Sequence, residues 1–272
     1  MVKAGGCIFV SDHSNPHHPI AVAKDAQIPT FIQSPTITSL AVANTSSTYL
    51  IPEHTPISDQ GQLSSCVANA TADAFEILKG LEDPNNVEQL SRLFVYWNAR
   101  LYSKQTNLDQ GTYIMYAMQS LIDYGICSEN TWQYDTNKVF AQPNQLAYKE
   151  ADDNTFKADA FYKIRTLGTY RLQDMEAAIR ANHPVVFGTN VDTAFENYSG
   201  GNTAIKPPSS WAGGHAMVAV GVRYNPNLEF CVRNSWGLSW GNNGHVWFSS
   251  DYMTANFTDD LYVGTRMGNL LK

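Results

Sequence analysis

Four polar residues of this chain have the side chains that acyl transfer through a sulfur nucleophile requires. Cys66 follows a polar loop, and after it the apolar residues recur at spacings of three and four, as on one face of a helix. A thiol in a first helical turn lies beside free backbone N–H groups and the positive end of the helix dipole. Both favour the thiolate, which is the nucleophilic form. The sequence therefore indicates a reactive cysteine at position 66.

A cysteine nucleophile needs a base within hydrogen-bond reach and a third group that orients this base. His215 follows Gly213 and Gly214, which leave room beside it, and it precedes an apolar strand-like run. Asn234 ends a second such run, and the turn at residues 225–227 predicts a hairpin that brings the two side chains together. We therefore expect His215 to be the base and Asn234 to orient its ring.

Gln60 is the fourth residue and lies six positions before Cys66. Its amide can reach the place where the tetrahedral oxyanion forms, beside the Cys66 backbone N–H. Each such donor lowers the barrier by about 3–4 kcal/mol. Taken singly, these residues have ordinary explanations as a buried thiol, a core histidine and a turn asparagine. Their occurrence as a set favours catalysis.

The elements that must position these residues differ between the two halves of the chain. Periodicity predicts helices at residues 66–79, 87–102, 112–124, around 143–150 and 174–181. It predicts strands at residues 185–191, 215–224, 230–234 and 245–248. Ser64 or Ser65 is expected to cap the first helix, and Gly80 and Pro84 to end it. Otherwise residues 126–165 show little regular pattern.

These patterns predict an α+β fold with two lobes in one domain, residues 51–272. The helical lobe covers about residues 60–125, and the β-rich lobe about residues 160–250. A cleft between two such lobes is a natural place for a site.

Residues 1–50 differ from the rest, since they are rich in Ser, Thr, Pro and Ala and carry few charges. They are expected to form an extended N-terminal extension with strand-like runs at residues 6–10 and 37–42. The histidine-rich run at residues 12–19 contains metal-ligand types, but it implies no fixed geometry, so a flexible polar loop is preferred. We expect neither a metal nor a cofactor.

The composition argues against several classes of partner. The 272 residues include 18 Lys and Arg against 25 Asp and Glu, a formal net charge of −7. Nucleic acids require a basic face, so they are not expected as partners. No apolar run is long enough to span a membrane. The four cysteines form no CxxC pair, so neither a cysteine-based zinc site nor a disulfide framework is expected.

The motifs resemble those of the papain family of cysteine peptidases. The matching pieces follow in family order and spacing: Gln60-Gly61 with Ser65-Cys66, Gly214-His215-Ala216, and Asn234-Ser235-Trp236-Gly237. The resemblance covers about residues 52–250. Leu63, Ser64 and Val67 replace a cysteine, a glycine and an aromatic residue that the family often has. The missing disulfide cysteines are typical of bacterial members.

The resemblance implies a role for each matching residue. Cys66 would be the nucleophile, His215 the base and acid, and Asn234 the residue that orients the imidazole. Gln60 would complete the oxyanion hole. Trp236 would cover the histidine–asparagine hydrogen bond.

It also implies where the substrate binds. Gly111 and Thr112 would pair with the substrate backbone, and Tyr113 would flank a side-chain pocket. Gly214 completes this expected substrate-binding set.

The expected function is a cysteine endopeptidase that hydrolyses peptides or proteins through an acyl-enzyme. Two alternatives remain open: an acyl transferase or peptide ligase with the same Cys–His pair, and a binding module on a silent peptidase fold. The family commonly forms zymogens, so residues 1–50 are expected to cover the cleft until cleaved. The start of the chain contains no apolar signal-peptide core, which fits a cytosolic protein or a processed one. A secreted monomer is preferred, because the chain is acidic and has an apparent prosegment.

Overall fold

The protein folds as helices packed against one antiparallel sheet, so the predicted α+β class is confirmed. The computed structural model describes residues 6–10, 18–31, 48–153, 157–210 and 212–265. The helices are His18–Asp25 (α1), Cys66–Glu82 (α2), Arg92–Tyr102 (α3), Ile114–Asp123 (α4), Gln145–Ala151 (α5), Gly168–Arg180 (α6), Thr193–Glu196 (α7) and Ser250–Thr254 (α8), with a 3₁₀ turn at Thr136–Lys138. The strands are Tyr49–Leu50 (β1), Ala160–Ile164 (β2), Val185–Val191 (β3), Gly213–Tyr224 (β4), Leu228–Arg233 (β5), His245–Ser249 (β6) and Thr258–Thr265 (β7).

The strands form a sheet in the order β2-β7-β3-β4-β5-β6, and β1 pairs with β4. The predicted β4–β5 hairpin is present, with Val218 opposite Arg233. On the other side of β4, His215 pairs with Thr189 of β3. This register puts His215 and the residue after Arg233 at the same end of the hairpin.

Helix α2 begins at Cys66, as the periodicity predicts, and it packs against α3, α4 and β4. Its side chains are buried from Cys66 to Gly80. A helix that is buried on every side is part of the core. The cysteine is therefore held at the start of a rigid element.

Two details of the α2 prediction are wrong. The helix continues through Gly80 and ends at Glu82, two residues before Pro84. Gly80 instead allows close packing, since a Cβ there would lie 2.5 Å from His54 Cδ2. Ser65 occupies the N-cap position, but its side chain makes no capping hydrogen bond. Its hydroxyl contacts the Tyr134 hydroxyl at 2.5 Å instead.

Helix α3 begins five residues later than predicted. Ser91 ends an extended stretch and caps α3 by accepting the Phe94 backbone N–H at 3.2 Å. Leu90, just before it, forms a β-bridge with Ser128. Leu90 is therefore buried at a sheet-like pairing and not in a helical turn.

Strands β1, β2 and β7 were not predicted, and α6 begins six residues before the predicted start at residue 174. Strands β2 and β7 pair with each other and contain buried charges. Lys163 Nζ of β2 lies 2.7 Å from Asp260 Oδ1 of β7. Charged residues that neutralise each other inside a sheet hide the apolar alternation by which strands are recognised.

The N-terminal extension is not uniformly extended, because it contains α1. Residues 6–10, here called the N-terminal segment, lie against the two lobes. The predicted strand at residues 37–42 and most of the histidine-rich run lie outside the described residues. Among the described helices, none combines the length and apolarity that a membrane span needs.

Candidate active site

Cys66 is completely buried at the first position of α2. Burial raises the pKa of its thiol to about 12, although backbone hydrogen bonds from Ala216, Val67 and Gly6 partly oppose this rise. Ala216 follows His215 on β4, so the sulfur contacts the strand that carries the histidine. The fold therefore brings Cys66 of the helical lobe into contact with strand β4 of the β-rich lobe.

His215 is fully buried, and its ring is bound to Asn234. His215 Nε2 lies 2.8 Å from Asn234 Oδ1, which also accepts the Ser235 backbone N–H at 2.8 Å. Because this oxygen can only accept, Nε2 carries the ring hydrogen and Nδ1 holds the lone pair. Within the part of the chain that the structure describes, His215 Nδ1 has no hydrogen-bond partner. It is therefore a base that is free to take a proton.

The covered cleft keeps both groups uncharged. Burial lowers the pKa of His215 to about 4, and the Asn234 hydrogen bond only partly opposes it. At neutral pH the ring is therefore neutral, and the Cys66 thiol is protonated. Desolvation disfavours the charged form of each group, so uncovering the cleft shifts both pKa values towards a thiolate–imidazolium pair.

Aromatic rings enclose one side of the histidine. The Trp236 ring stacks on the His215 ring with centroids 4.6 Å apart and an interplanar angle of 28°. Phe195 of α7 meets Trp236 edge-on at 5.3 Å and Trp240 at 4.8 Å. Rings in this position exclude water from the His215–Asn234 hydrogen bond.

Gln60 is fixed by hydrogen bonds to both ends of its amide. Nε2 donates to the Leu63 carbonyl at 3.0 Å, and Oε1 accepts the Ser235 hydroxyl at 2.7 Å. A primary amide nitrogen carries two hydrogens, and Leu63 uses one of them. The Gln60 backbone N–H also donates to the Ser235 carbonyl at 2.9 Å. The loop before Cys66 is thus bonded to the residue after Asn234.

The N-terminal segment crosses the cleft at Cys66. The Thr112 N–H donates to the Gly6 carbonyl at 3.1 Å, and the Ile8 N–H donates to the Thr112 carbonyl at 3.0 Å. These bonds flank Cys7, which forms a parallel β-bridge with Thr112. A Cβ on Gly6 would lie 2.9 Å from Cys66 Sγ, so the segment backbone packs directly on the sulfur.

Glycines form the walls that this segment touches. A Cβ on Gly111, whose φ is +87°, would lie 2.1 Å from the Gly6 carbonyl oxygen. A Cβ on Gly214 would lie 2.7 Å from the Cys7 carbonyl oxygen, and one on Gly188 would lie 2.9 Å from the Cys7 sulfur. A peptide backbone can approach this closely only where no side chain intervenes.

The predicted substrate-binding residues thus lie in different places. Gly111, Thr112 and Gly214 contact the N-terminal segment, whereas the buried Tyr113 ring packs edge-on against Tyr116 at 5.2 Å. Trp236 lines an adjoining cavity of about 500 Å³.

Sequence reasoning missed two residues of the site, Gly188 and Phe195. An isolated glycine inside the apolar strand β3 was a usable signal for Gly188, because such a glycine often marks a close backbone approach. Phe195 lies in a four-residue helix, α7, that is too short to show a period. Among the described residues, no group of three His, Cys, Asp or Glu could hold a metal ion.

Comparisons with known proteins agree on one family. The model of the papain family of cysteine proteases matches residues 50–264. An uncharacterized peptidase C1-like protein of Acanthamoeba polyphaga mimivirus is 33% identical over 213 residues, which cover 75% of this chain and 68% of that protein. Papain of Carica papaya is 28% identical over 193 residues, covering 71% of this chain and 50% of papain. The chain thus spans about half to two thirds of the length of these relatives.

Solved structures show the same fold. Xylellain, a cysteine protease from Xylella fastidiosa, superposes with a TM-score of 0.77 at 23% identity, covering 89% of this chain and 93% of that one. The digestive procathepsin L 3 of Tenebrio molitor larval midgut gives a TM-score of 0.60 at 20% identity, with 90% and 88% covered.

Proposed function

This chain belongs to the papain family of cysteine proteases, and from that premise we propose that it is an endopeptidase whose nucleophile is Cys66. The single observation that carries the proposal is the state of His215. Its Nε2–H is bound to Asn234 Oδ1 at 2.8 Å, which leaves Nδ1 as the base. The sulfur of Cys66 lies beside Ala216, the next residue on the same strand.

In the proposed reaction, His215 Nδ1 takes the thiol proton and the Cys66 sulfur attacks the peptide carbonyl carbon. The carbonyl oxygen becomes an oxyanion, for which the Cys66 backbone N–H and Gln60 Nε2 are the donors. The imidazolium protonates the leaving amine as the C–N bond breaks, and a thioester remains. Water, deprotonated by the same ring, then hydrolyses the thioester and restores the thiol.

The N-terminal segment supports a cleft that accepts extended polypeptide. Gly6 packs on the Cys66 sulfur, and Cys7 continues from it between the glycines at positions 188 and 214. The glycines at positions 111 and 214 leave space for such a backbone.

We further propose that the chain is a zymogen, because the N-terminal segment covers the nucleophile. A group of ion pairs, here called the anchor cluster and formed by Asp25, Lys163, Arg165 and Asp260, fastens the extension to the sheet. Lys163 Nζ lies 2.9 Å from Asp25 Oδ1 and 2.7 Å from Asp260 Oδ1. Arg165 Nη1 lies 3.0 Å from Asp25 Oδ2, and Asp260 Oδ2 accepts the Val10 N–H at 2.7 Å.

The nucleophile is tested by Cys66→Ala, with Cys127→Ala as the matched control because Cys127 is equally buried. Peptide cleavage and the rapid phase of iodoacetamide labelling are measured in both variants, each combined with Gly6→Leu, which displaces the N-terminal segment from the cleft as described below. We expect Cys66→Ala to lose both and Cys127→Ala to keep both. Labelling at the same rate in Cys66→Ala would remove Cys66 from its role. Adding an amine during turnover separates hydrolysis from acyl transfer, since a transferase would form the amide.

The zymogen is tested by Gly6→Leu in the full chain. A side chain at residue 6 would lie 2.5 Å from the Ser64 carbonyl oxygen, so the segment must leave the cleft. We expect faster peptide cleavage than in the wild type. Ala23→Leu, which adds the same bulk on the exposed face of α1, is the control. Equal rates in Gly6→Leu and Ala23→Leu would argue against inhibition by this segment.

The proposal includes action as a secreted monomer. The net charge of −7 and the covered nucleophile support export before activation. Fractionation of the source culture and the elution volume in size-exclusion chromatography test the two points. Recovery in the cytosol, or elution as a dimer, would contradict them.

A further inference from the structure

A buried group of charges joins the elements that carry the proposed nucleophile and its histidine partner. Asp73 lies on α2 seven residues after Cys66, which is two helical turns. Arg233 ends β5 and directly precedes Asn234. Arg233 Nε lies 3.3 Å from Asp73 Oδ2, which makes an ion pair without the geometry of a hydrogen bond, and each side chain is 1% exposed. The pair therefore connects the helical lobe with the sheet.

Asp73 uses both of its oxygens. Arg92 Nη2 donates to Oδ1 at 2.7 Å, and the Ser58 hydroxyl donates to Oδ2 at 3.2 Å. Arg92 also pairs with Glu76 at 2.9 Å. Asp73, Arg92 and Arg233 are here called the inter-lobe cluster. Burial raises the pKa of Asp73, but Arg233 and Arg92 outweigh it and hold this pKa below its usual value.

The remaining nitrogens of Arg233 bind the chain that leads to Gln60. Nη1 donates to Glu53, and Nη2 donates to the Pro56 carbonyl at 2.7 Å. His245 Nε2 also lies 2.9 Å from Glu53 Oε1. The Arg233 guanidinium therefore contacts both helix α2 and the chain that leads to Gln60. The Arg233 backbone directly precedes Asn234.

We propose that the Arg233–Asp73 pair positions the His215–Asn234 unit against Cys66 by fixing how the two lobes meet. The inference rests on the proposed peptidase function. A planar guanidinium with several fixed partners holds a defined geometry, whereas an apolar contact permits sliding. A displacement of about 1 Å in a catalytic pair can cost about 10²-fold in rate.

The experiment compares Asp73→Asn with Glu176→Gln in the full chain, each with and without Gly6→Leu. Glu176 is a matched control, because its pair with Arg180 is also buried, at 2.9 Å, but lies within α6. Its other oxygen accepts the hydroxyl of Tyr224, which is at the end of β4 away from His215. The rate of Cys66 alkylation by iodoacetamide is followed from acid to alkaline pH, together with kcat and KM. Thermal unfolding of each variant is recorded in parallel.

We expect Asp73→Asn to lower kcat about 10²-fold with little change in KM. Its alkylation profile is expected to move towards that of an ordinary thiol, whose pKa is about 8.5. Glu176→Gln is expected to keep the wild-type profile at a similar loss of thermal stability. Arg233→Lys keeps the positive charge but loses the planar guanidinium, so we expect a Cys66 alkylation profile between those of the wild type and Asp73→Asn. This variant replaces Asp73→Asn in the experiment if Asp73→Asn does not fold.

Some results would overturn the positioning role. One is a wild-type alkylation profile in folded Asp73→Asn or Arg233→Lys, and another is a loss of kcat no larger than that of Glu176→Gln. Failure of the proposed peptidase function would give a different result: Cys66 in the Gly6→Leu chain without further substitution would then alkylate as an ordinary thiol.

Discussion

The inter-lobe cluster and the anchor cluster are both buried groups of ion pairs, but their cations and exposure differ. Asp73, Arg92 and Arg233 have side chains that are at most 4% exposed, and both cations are arginines. In the anchor cluster, Lys163 is 8% exposed and Asp25 is 11% exposed. Arg165, which joins Asp25 from outside, is 33% exposed.

This difference indicates that the inter-lobe cluster holds the two lobes together permanently, whereas the anchor cluster can release the extension. Arginine keeps its charge at every accessible pH and binds several partners in one plane, so a buried arginine pair has no easy alternative state. Asp25 belongs to the extension, and water can replace its partners once the extension leaves. Lys163 would still have Asp260, at 2.7 Å, after that departure. Removing a charge from the inter-lobe cluster should therefore lower the global stability of the fold, whereas removing one from the anchor cluster should only uncover the cleft.

The largest effect is expected for Asp73→Asn on global stability. Its two arginine partners would lose a fully buried carboxylate, and breaking such a pair costs about 3–5 kcal/mol. The free energy of unfolding, measured by urea denaturation, is expected to fall by that amount. A decrease below about 1 kcal/mol would show that solvent reaches the inter-lobe cluster, which would then not differ from the anchor cluster in its contribution to stability.

Asp25→Asn is expected to release the extension while the body stays folded. The amide loses the charge-assisted bond to the buried Lys163, worth about 1.5–3 kcal/mol, and also the weaker, partly exposed pair with Arg165. We expect Cys66 alkylation in the full chain to accelerate about 10- to 100-fold, which corresponds to about 1.4–2.8 kcal/mol. The urea midpoint of the body serves as the control. A decrease as large as that of Asp73→Asn would mean that the two clusters have the same role.

Acid is expected to uncover the cleft in the same way, with a smaller effect. Burial raises the pKa of Asp25, but the Tyr262 hydrogen bond and the Lys163 charge outweigh it and hold this pKa below its usual value. A lowered pKa stabilises attachment above the ordinary aspartate value of about 3.9, and this contribution is lost as the pH falls through the lowered value. Alkylation of the wild type should accelerate in that window, and Asp25→Asn should lack this acceleration.

The smallest effect is expected for Arg165→Ala. Its side chain is one-third exposed, so the ion pair with Asp25 is screened and contributes about 0.2–1 kcal/mol. We expect Cys66 alkylation to accelerate no more than about fivefold. An acceleration equal to that of Asp25→Asn would mean that Arg165, and not Lys163, is the main partner that holds Asp25.

Elements with a clear local period were predicted well. The sequence predicted β3 at residues 185–191, which are its observed bounds, and α4 differs from its prediction by two residues at the start and one at the end. In α4 the apolar residues recur at the helical period. All seven residues of β3 are buried, so this strand was recognisable as a short, largely apolar run bounded by turn residues. The start of α2 at Cys66 was visible for the same reason.

Elements that depend on distant partners were missed or misplaced. Strand β7 contains Asp259 and Asp260, and Asp260 can be buried because Lys163, 97 residues away, neutralises it. Residues 87–91 continue the apolar pattern of α3, but Ser91 caps the helix and Leu90 pairs with Ser128. Such pairings leave no periodic trace near the residues concerned.

The order and spacing of Gln60, Cys66, His215 and Asn234 are properties of the sequence, as is the helix that begins at the cysteine, because the types of neighbouring residues determine both. The tertiary structure alone shows which atoms meet: His215 Nε2 with Asn234, Gly6 with the Cys66 sulfur, and Arg233 with Asp73. Contacts between residues far apart in the chain depend on how the lobes pack. For that reason the chemistry could be predicted from residue types, whereas its covering segment and its inter-lobe support required three-dimensional coordinates.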